Sequence, residues 1–425
     1  MKEVAFHYGK GKISHSFDDG ELIAVLESSI NNYVPEADEA ELIKKAMTTP
    51  TGSPCLSSLA AGKKNITIIA SDHTRPVPSK LIIPQMLREI REGNPDADIT
   101  ILIATGCHRD TTHEELVAKF GEDIVNHEKI YVHDCDEEEN LVNIGTLPSG
   151  SACEINRLAV EDDLLVAEGF IEPHFFAGFS GGRKSVLPGV ASRSTVLGNH
   201  CSEFINNRNA KTGILEGNPI HEDMLWAAKQ ARLAYVVNIV LNADKKVIYA
   251  VAGDVEAAHK RGTDFLMELC EVKATPADIA ISTNGGYPLD QNVYQAVKGM
   301  TAAEATVKQG GVIIMIARSN DGIGGDHFYR QLADEPDIDR TMELFLSRGK
   351  DKTVPDQWQT QVLLRVLKKA TVIYISEMED ETIAKMHMIP ARDIGDAMAK
   401  AKGILKSENV TVTAIPDGIS VIVKE

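Results

Sequence analysis

The stretch DLLVAEGFIEPHFFAGFSGGRKSVLPGVASRSTVLGNH, residues 163–200, joins a short apolar run to a long glycine-rich loop. The run at 163–167 has the composition of a short strand that is buried in a parallel sheet. The loop contains Gly178, Gly181 and Gly182. Glycine-rich turns let the backbone approach a ligand closely and leave amide N–H groups pointing outward. The stretch therefore predicts a central strand followed by a ligand site.

Three side chains of this loop have chemistry to offer. Lys184 follows the glycines and an aromatic pair, so partial desolvation would make it a better nucleophile than a surface lysine. His174 and His200 flank it as acid, base or metal ligand. The alternative is a glycine-rich surface loop with incidental histidines. The whole combination favours a functional site.

Composition excludes several classes of protein. The chain has 425 residues, and 44 Lys and Arg against 62 Asp and Glu give a formal net charge of −18. This charge disfavours non-specific binding to nucleic acid or to an anionic membrane. Neither a signal-peptide pattern nor an apolar run of membrane-spanning length is present in the sequence. Its six cysteines are scattered without a Cys-x-x-Cys pair, which predicts reduced thiols in the cytoplasm.

Short apolar runs alternate with helical patterns along most of the chain. Strands are predicted at 65–70, 98–104, 129–133, 163–167, 278–282, 311–316 and 371–375. Helices are predicted at 38–47, with Asp38 as the N-cap, and at 79–92, 113–120, 219–231, 255–270, 292–298, 357–369 and 394–404. A hairpin is predicted around the turn Gly9-Lys-Gly11. This alternation is typical of an α/β protein with mostly parallel, doubly wound sheets.

The length of the chain predicts two domains. The pattern of strands restarts around Thr275-Pro-Ala277, which places a boundary near 272–276. We therefore predict an N-terminal domain at 1–272 and a C-terminal domain at 273–409. One option is that residues 410–425 return to pair with the first domain.

Polar side chains cluster just after four of the predicted strands. Ligands of open α/β sheets bind beyond the carboxyl ends of the strands. The four segments are Ser71–Pro78, Thr105–Arg109, Glu168–His200 and Thr283–Gly299. Each has a structural explanation, since Asp and Thr cap helices and Arg pairs with Asp. Their coincidence at four strand ends favours a shared site.

Two other kinds of site are weighed on the residues alone. Gly-Gly-Arg-Lys-Ser at 181–185 lacks the spacing of a nucleotide-binding phosphate loop. His108, His174 and His200 could together bind zinc, as three imidazoles do in several hydrolases and lyases. That zinc site is the serious competitor to any other assignment of these residues.

These same segments resemble the nickel-dependent lactate racemase family. The resemblance runs the length of the chain and includes SDHTRPVP at 71–78, ATGCHR at 104–109, NGGYPLDQNVYQAVKG at 284–299 and PDQW at 355–358. It implies two α/β domains with the active site in the interdomain cleft. It also implies nickel held in a nickel-pincer nucleotide, a pyridinium-3,5-bisthiocarboxylic acid mononucleotide that other maturation proteins make.

The resemblance assigns roles to residues of this sequence. Lys184 matches the lysine that bonds covalently to the cofactor, and His200 matches the nickel ligand. His108 and His174 match the two acid/base residues. The loop that contacts cofactor and substrate matches Asp72, His73, Thr74 and Arg75. The remaining substrate-binding positions match Tyr294, Gln295, Lys298 and Trp358.

The residue types suit a hydride-transfer racemase of lactate. Removing the Cα proton of lactate would create a dianion, whereas removing hydride needs a base for the hydroxyl and an electron-poor acceptor. Pyruvate, the planar product, can take hydride back on either face. Two imidazoles with ordinary pKa values near 6.5 suit the proton transfers, and Arg75 with Lys298 suits the carboxylate. Soft sulfur and imidazole ligands suit nickel.

Three other functions remain open on the sequence. The first is a racemase or epimerase of another 2-hydroxy acid. The second is the zinc-dependent hydrolase or lyase, in which Lys184 would have no role. The third is a protein that carries the cofactor without turnover. Substrate assays, metal analysis and a test for turnover separate them.

Overall fold

Two six-stranded sheets, one in each of two compact units, form the framework of the protein. The computed structural model describes residues 2–424. We call residues 30–200 and 207–268 the central unit, and residues 2–29, 201–206 and 269–424 the terminal unit. How the chain divides into independently folding domains stays a prediction, because this division groups residues only by their contacts.

Within residues 2–424 the chain forms 20 β-strands and 16 α-helices. The strands are β1 (Lys2–Tyr8), β2 (Gly11–Phe17), β3 (Leu22–Val25), β4 (Asn65–Ser71), β5 (Asp98–Ala104), β6 (Lys129–Val132), β7 (Leu141–Thr146), β8 (Ala152–Asn156), β9 (Leu164–Phe170), β10 (Pro173–His174), β11 (Gly178–Phe179), β12 (Leu233–Leu241), β13 (Val247–Gly253), β14 (Glu271–Lys273), β15 (Ala277–Thr283), β16 (Val307–Ile316), β17 (Thr371–Ile375), β18 (Ile389–Ala391), β19 (Val412–Ile415) and β20 (Ile422–Lys424).

The helices follow the strands in the alternation that the sequence predicts. They are α1 (Glu39–Thr48), α2 (Leu56–Ala60), α3 (Ser79–Gly93), α4 (His113–Phe120), α5 (Glu122–His127), α6 (Arg157–Glu161), α7 (Arg193–Asn199), α8 (Ser202–Ile205), α9 (Pro219–Gln230), α10 (Ala257–Cys270), α11 (Val293–Thr306), α12 (Asp326–Ala333), α13 (Ile338–Ser347), α14 (Gln357–Lys369), α15 (Asp380–Lys385) and α16 (Ile394–Leu405).

The sheet of the central unit has the order β13-β12-β9-β4-β5-β6. All neighbouring strands are parallel except β12 and β13, which form an antiparallel pair. Every residue of β9 is buried, as the apolar run at 163–167 predicts. Helices α1 and α3 pack their apolar faces into the same core, for example through Ile43 and Ile83. Burying such side chains stabilises the fold by about 1.5–3 kcal/mol each.

The sheet of the terminal unit has the order β18-β17-β16-β15-β19-β3, and all its pairs are parallel. Strand β19 lies between β15 and β3, so the two ends of the chain complete one sheet. The hairpin of β1 and β2 turns at Gly9, as the sequence predicts, and places Phe6 and Phe17 in the core of this sheet. The prediction of mostly parallel, doubly wound α/β sheets is confirmed.

Helix starts follow local capping chemistry. The Asp38 carboxylate accepts from the backbone N–H of Glu41 at 2.9 Å, as predicted for the start of α1. Thr112 and Glu115 form a capping box at α4. The Asn292 side chain accepts from the N–H of Gln295 at 2.9 Å and begins α11. Across residues 2–424, none of the helices has the length and apolar character needed to span a bilayer.

Candidate active site

The carboxyl ends of β4, β5 and β9 bring three of the predicted segments together within the central unit. Ser71 lies opposite Ala104, and Ile69 lies opposite Ala167, so the three strands end at the same edge. The Glu168 carboxylate accepts from the Ser71 hydroxyl at 3.2 Å and from the Ser79 hydroxyl at 2.6 Å. Glu168 therefore fastens both ends of the loop that contains Asp72–Arg75 to the central strand.

A second contact at this edge joins Asp72 and His108. His108 Nδ1 lies 2.8 Å from Oδ2 of Asp72, and the Thr74 hydroxyl donates to Oδ1 of Asp72 at 2.7 Å. Asp72 is 1% exposed, whereas the His108 side chain is 44% exposed. Because a carboxylate can only accept, Nδ1 of His108 carries the proton. In the neutral ring, Nε2 then holds the electron pair that a general base requires.

The charge of Asp72 is maintained against its burial. Burial alone would raise the pKa of this carboxyl group, but hydrogen bonds from His108 and Thr74 and the nearby positive charge of Arg75 outweigh it. The net result is a pKa below the ordinary value. Arg75 itself is exposed, and its carbonyl accepts from Nζ of Lys119 at 3.1 Å. Asp72 is therefore an anion at neutral pH and can stabilise a protonated His108.

His73 contacts the start of α4. Its Nδ1 lies 3.0 Å from the Thr111 hydroxyl and 3.6 Å from Glu115. Arg109 also binds Glu115 through two contacts of 2.9 and 2.5 Å, and this hydrogen bonding is the main reason that the pKa of Glu115 falls to about 2. These contacts tie His73 and Arg109 to the same helix end. They position the 72–75 and 105–109 loops relative to one another.

His174 lies in an aromatic cluster at the end of β10. Its ring stacks on Phe175 at 5.1 Å and meets Phe176 edge to face at 4.5 Å. Its Nδ1 accepts long hydrogen bonds from the backbone N–H groups of Phe176 and Ala177, at 3.5 and 3.3 Å. Neutral His174 in this arrangement carries its proton on Nε2, the opposite of neutral His108.

The glycine-rich turn after β11 has a shape that only glycine permits at two positions. Gly181 has φ of +77°, and an added Cβ would lie 2.8 Å from the carbonyl oxygen of Phe170. Gly182 has φ of +53°, and a Cβ there would lie 2.8 Å from the ring of His259. The side chain of Asn238, on β12, accepts from the N–H of Gly182 at 2.8 Å. The backbone is thus fixed immediately before Lys184.

Arg183 is buried beneath this turn. Its guanidinium donates to the carbonyls of Ala177 at 2.8 Å and Gly181 at 3.2 Å, and lies 3.0 Å from Nε2 of His259. Burial lowers the pKa of Arg183 to about 9, so the group keeps its charge at neutral pH. Arg183 therefore stabilises the turn from its buried side, and Lys184 is the next residue in the chain.

Lys184 and His200 both lie near the ring of Phe176. The ammonium group of Lys184 is 5.9 Å from the centre of the Phe176 ring, and the His200 ring is 5.2 Å from it at 83°. His200 Nδ1 donates to the carbonyl of Val196 at 3.0 Å, so its neutral tautomer has the electron pair on Nε2. Burial, with the positive charge of Lys184, lowers the pKa of His200 to about 3.

These residues fit the cofactor that the family resemblance implies. A neutral imidazole whose second nitrogen is bound to a backbone carbonyl is the usual form of a histidine metal ligand. A lysine beside an aromatic ring and a glycine turn gives an amine the access that covalent attachment needs. His200 can therefore hold a soft metal ion, and Lys184 can hold an organic group beside it.

The described residues offer little support for a zinc site. Within residues 2–424, His108, His174 and His200 do not bring three ring nitrogens within 4.8 Å of one another. One group with metal-ligand spacing does occur there: Asp134, Cys135 and Asp136. Arg193, however, binds the Asp136 carboxylate through contacts of 2.8 and 2.7 Å, and this cation opposes a metal ion at that place.

The predicted substrate residues of the terminal unit lie on two helices. Tyr294, Gln295 and Lys298 share one face of the first turns of α11, because residues three and four apart are neighbours on a helix. Trp358, on α14, donates from its indole nitrogen to the Tyr294 hydroxyl at 3.1 Å. The structure thus brings four of the predicted residues together. Their contact with a substrate stays a prediction.

Three supporting residues were missed by the reasoning from sequence. Glu168 had a signal, because it is the one charged residue in an otherwise apolar strand. Arg183 was noted only as part of a glycine-rich motif, and nothing in that motif indicates a fully buried guanidinium. Asn238 lies in an apolar run on β12, where a buried amide also needs a partner.

Known proteins match both the N-terminal and the C-terminal part of the chain. Residues 8–213 match the model of the lactate racemase N-terminal domain, and residues 272–423 match that of the lactate racemase C-terminal domain. Curated lactate racemases from Thermoanaerobacterium thermosaccharolyticum and Lactiplantibacillus plantarum are each 52% identical to this chain, over 426 and 425 residues. Both comparisons cover 100% of this chain and 100% of the relative.

Solved structures agree with the sequence comparisons. The structure of the lactate racemase apoprotein from T. thermosaccharolyticum matches with a TM-score of 0.96 at 52% identity, covering 100% of both chains. A crystal structure of a protein from Thermotoga maritima shares the fold, with a TM-score of 0.65 at 19% identity, over 92% of this chain and 100% of that one. On the family matches and the two relatives, the chain belongs to the lactate racemase family.

Proposed function

We propose that this protein interconverts D- and L-lactate by removing hydride from C2 and returning it to either face of a pyruvate intermediate. The observation that carries the proposal is the contact of 2.8 Å between buried Asp72 and exposed His108. A carboxylate that orients one nitrogen of an imidazole prepares the other nitrogen to take a proton. The family membership gives the substrate, because both curated relatives are named lactate racemase.

The cofactor in this proposal is a nickel-pincer nucleotide attached to Lys184. When bound, it supplies an electron-poor pyridinium carbon that accepts hydride. His200 offers Nε2 to the nickel, since its Nδ1 is bound to the carbonyl of Val196. The glycine turn and Arg183 fix the backbone from which Lys184 extends. Asp72, His73, Thr74 and Arg75 form the loop proposed to contact the cofactor.

His108 acts as the base for the hydroxyl of one lactate enantiomer. Its Nε2 takes the hydroxyl proton, and the Asp72 carboxylate stabilises the imidazolium that forms. The lowered pKa of Asp72 keeps this carboxylate charged throughout the neutral range. Asp72 thus positions the ring and offsets its charge without itself exchanging a proton with lactate.

His174 serves the hydroxyl of the other enantiomer. Its Nδ1 accepts from two backbone N–H groups, so the neutral ring presents an N–H at Nε2. Accepting a proton at Nε2 requires the other tautomer, in which Nδ1 carries the proton and the two long hydrogen bonds are lost. We infer that the turn at 174–177 shifts when His174 acts as a base. His108 needs no such shift.

The substrate carboxylate is assigned to cationic and amide groups. Arg75 has the planar, bidentate donor geometry that suits a carboxylate. Gln295 and Lys298, one helical turn apart on α11, supply further donors in this proposal. Tyr294 and Trp358, which hydrogen-bond to each other, supply the aromatic surface.

Maturation proteins that make the cofactor are the proposed partners of the chain. The cytoplasm is the proposed location, because all six cysteines are free thiols and a reducing compartment keeps them so. Protein made without the maturation proteins is expected to lack activity. Protein made with them is expected to contain nickel and an increased intact mass.

Deuterium at C2 of lactate tests the proposed reaction. Hydride held on a carbon atom does not exchange with water, whereas a proton on an imidazole does. Racemisation in ordinary water should therefore leave most of the label on C2 and release a trace of pyruvate. NMR of the product lactate gives the retained fraction, and malate or another 2-hydroxy acid serves as a specificity control. Bulk loss of the label to solvent would show proton abstraction at Cα and end the proposal.

A further inference from the structure

A pair of thiols lies beside the proposed base. Cys107 directly precedes His108 on the loop after β5, and Cys135 lies on the loop after the neighbouring strand β6. Ile103 lies opposite Val132 where the two strands pair. Just beyond the strands the two loops remain adjacent, because the Thr105 hydroxyl donates to the carbonyl of His133. Cys107 and Cys135 each lie two residues further along these loops.

The two thiols also contact each other directly. A side-chain hydrogen bond joins Cys107 and Cys135. Cys107 is partly exposed, whereas Cys135 is 4% exposed. The hydrogen bond from Cys107, helped by the guanidinium of Arg193, lowers the pKa of Cys135 despite its burial. The same hydrogen bond, with burial, raises the pKa of Cys107.

Both loops are fixed to neighbouring segments, so the thiols remain opposite each other. The N–H of Gly106 donates to the carbonyl of Gly189 at 2.9 Å, and the N–H of Arg193 donates to the carbonyl of Cys135 at 3.1 Å. The ring of His133 lies 3.1 Å from the carbonyl of Ala191 and 3.2 Å from the Asn156 amide. Two thiols held in contact on fixed loops need little backbone movement to form a disulfide.

We propose that Cys107 and Cys135 are a redox-sensitive modification site that closes to a disulfide with a peroxide as oxidant. The Cys135 thiolate attacks one peroxide oxygen, forming a sulfenic acid and releasing hydroxide, which takes up a proton to become water. Cys107 then attacks the sulfenic sulfur, forming the S–S bond and releasing a second water. The peroxide is reduced and the two thiols are oxidised, and a thiol reductant reverses the change.

A disulfide between Cys107 and Cys135 would move His108 away from Asp72, and the order of the strands gives the direction of this movement. Strand β5 lies between β4, which leads to Asp72, and β6, which leads to Cys135. A disulfide brings its sulfurs to about 2 Å, closer than two hydrogen-bonded thiols lie. Closure therefore draws the 105–109 loop toward β6 and away from Asp72. This consequence rests on the proposed function, in which His108 is the base, whereas formation of the bridge does not.

The chemical test uses the whole chain without cofactor. Treatment with hydrogen peroxide should remove two of its six free thiols and lower the intact mass by two hydrogen atoms. Digestion with trypsin and Glu-C separates Cys135 from Cys153 and should give one linked pair, Cys107 with Cys135. Cys135→Ser and Cys107→Ser should abolish the bridge, while Cys55→Ser, the matched control at a partly exposed thiol, should keep it. A bridge between other cysteines, or oxidation without any bridge, would overturn the proposal.

The functional test uses protein loaded with cofactor. Bridged protein should lose about 100-fold in racemase activity, as expected for an acid/base group moved by about 1 Å, and dithiothreitol should restore it. Cys135→Ser should not show this reversible loss. Reversible loss in both proteins would place the effect elsewhere and overturn the link to His108. Absence of racemase activity before oxidation would instead count against the proposed function and leave the bridge result unaffected.

Discussion

The two sheets carry polar clusters at their carboxyl ends that look alike in sequence but do different work. In the central unit, Asp72 and His108 face each other in a contact suited to proton transfer. In the terminal unit, the Asp290 carboxylate is buried and accepts from the N–H groups of Gly9 at 2.6 Å and Arg318 at 3.2 Å. In the proposed mechanism one carboxylate prepares a base, whereas the other joins a hairpin to a loop. Residue type and strand end alone do not separate these roles.

The contrast has a physical origin in the partner of each carboxylate. Asp72 is hydrogen-bonded to the imidazole of His108, which is 44% exposed and can take up or release a proton at neutral pH. Asp290 is bound by two backbone amides, which do not ionise at neutral pH. Substitutions in the central cluster should therefore change the chemistry, and those around Asp290 should change folding.

The largest expected effect comes from replacing Lys184, the proposed attachment point of the cofactor. Lys184→Ala should abolish covalent attachment of the cofactor and reduce racemase activity to background, because the attaching amine is gone. Lys80→Ala, at an exposed position near the start of α3, is the matched control and should keep both. Peptide mass spectrometry of loaded protein measures the adduct. An adduct that persists on Lys298 or Lys80 would contradict the assignment.

The next effect separates the three histidines. His108→Ala and His174→Ala should each lower kcat/KM by about 10²–10⁴-fold, the usual contribution of an acid/base group, while nickel is retained. The loss must be equal for D- and L-lactate, because mirror-image molecules have an equilibrium constant of one. His200→Ala should instead lose nickel.

His127→Ala is the control for these variants, since its ring is exposed on α5 and binds only within its own helix. Elemental analysis and assays with each enantiomer give the two readouts. Loss of nickel in the His108 or His174 variant would favour the zinc-like arrangement of three histidines instead.

Asp72→Asn should lower kcat/KM by about 10- to 100-fold, as loss of an orienting partner commonly does. It should also change acid stability. Because the folded pKa of Asp72 is below its ordinary value of 3.8, this group stabilises the wild type above that pH and loses the effect as pH falls through the folded pKa. The variant should therefore lose less stability than the wild type as the pH falls below 3.8. Equal acid unfolding curves would contradict this account.

The smallest effects test the terminal unit. Lys298→Ala should raise KM with little change in melting temperature, because its proposed role is to bind the substrate carboxylate. Asp290→Ala should destabilise the fold by about 1–3 kcal/mol by leaving buried N–H groups without an acceptor, and should leave the KM of the remaining folded protein unchanged. Denaturant unfolding and steady-state kinetics measure the two. A changed KM in Asp290→Ala would show that Asp290 also affects substrate binding and would contradict its assignment as a structural residue.

Sequence reasoning predicted the framework because strand and helix patterns are local. The run at 163–167, the cap Asp38 and the hairpin at Gly9 all have short-range signals, and the structure confirms them. The insertion of β19 between β15 and β3 has no local signal, because those partners are far apart in the chain. Pairing of such distant segments depends on the packing of the whole unit.

The candidate site was predictable to a similar degree. Strand ends and the family resemblance indicated Asp72, His108 and Lys184 by residue type. The hydrogen bonds of His174 were not predictable, because its tautomer depends on two backbone N–H groups in a tight turn. The buried guanidinium of Arg183 was equally hidden, since most arginines in a glycine-rich motif face solvent.

The pairing of β3 with β19 has a consequence for synthesis on the ribosome. The central unit contains no residue beyond 268, whereas β3, made among the first 25 residues, must wait for residues 412–415 before it can pair with β19. At the usual rate of translation this delay is on the order of tens of seconds. We therefore expect the part of the chain that carries Lys184 to fold while the rest is still being translated. Nascent chains halted shortly after residue 268 emerges should already protect the central strands from proteolysis.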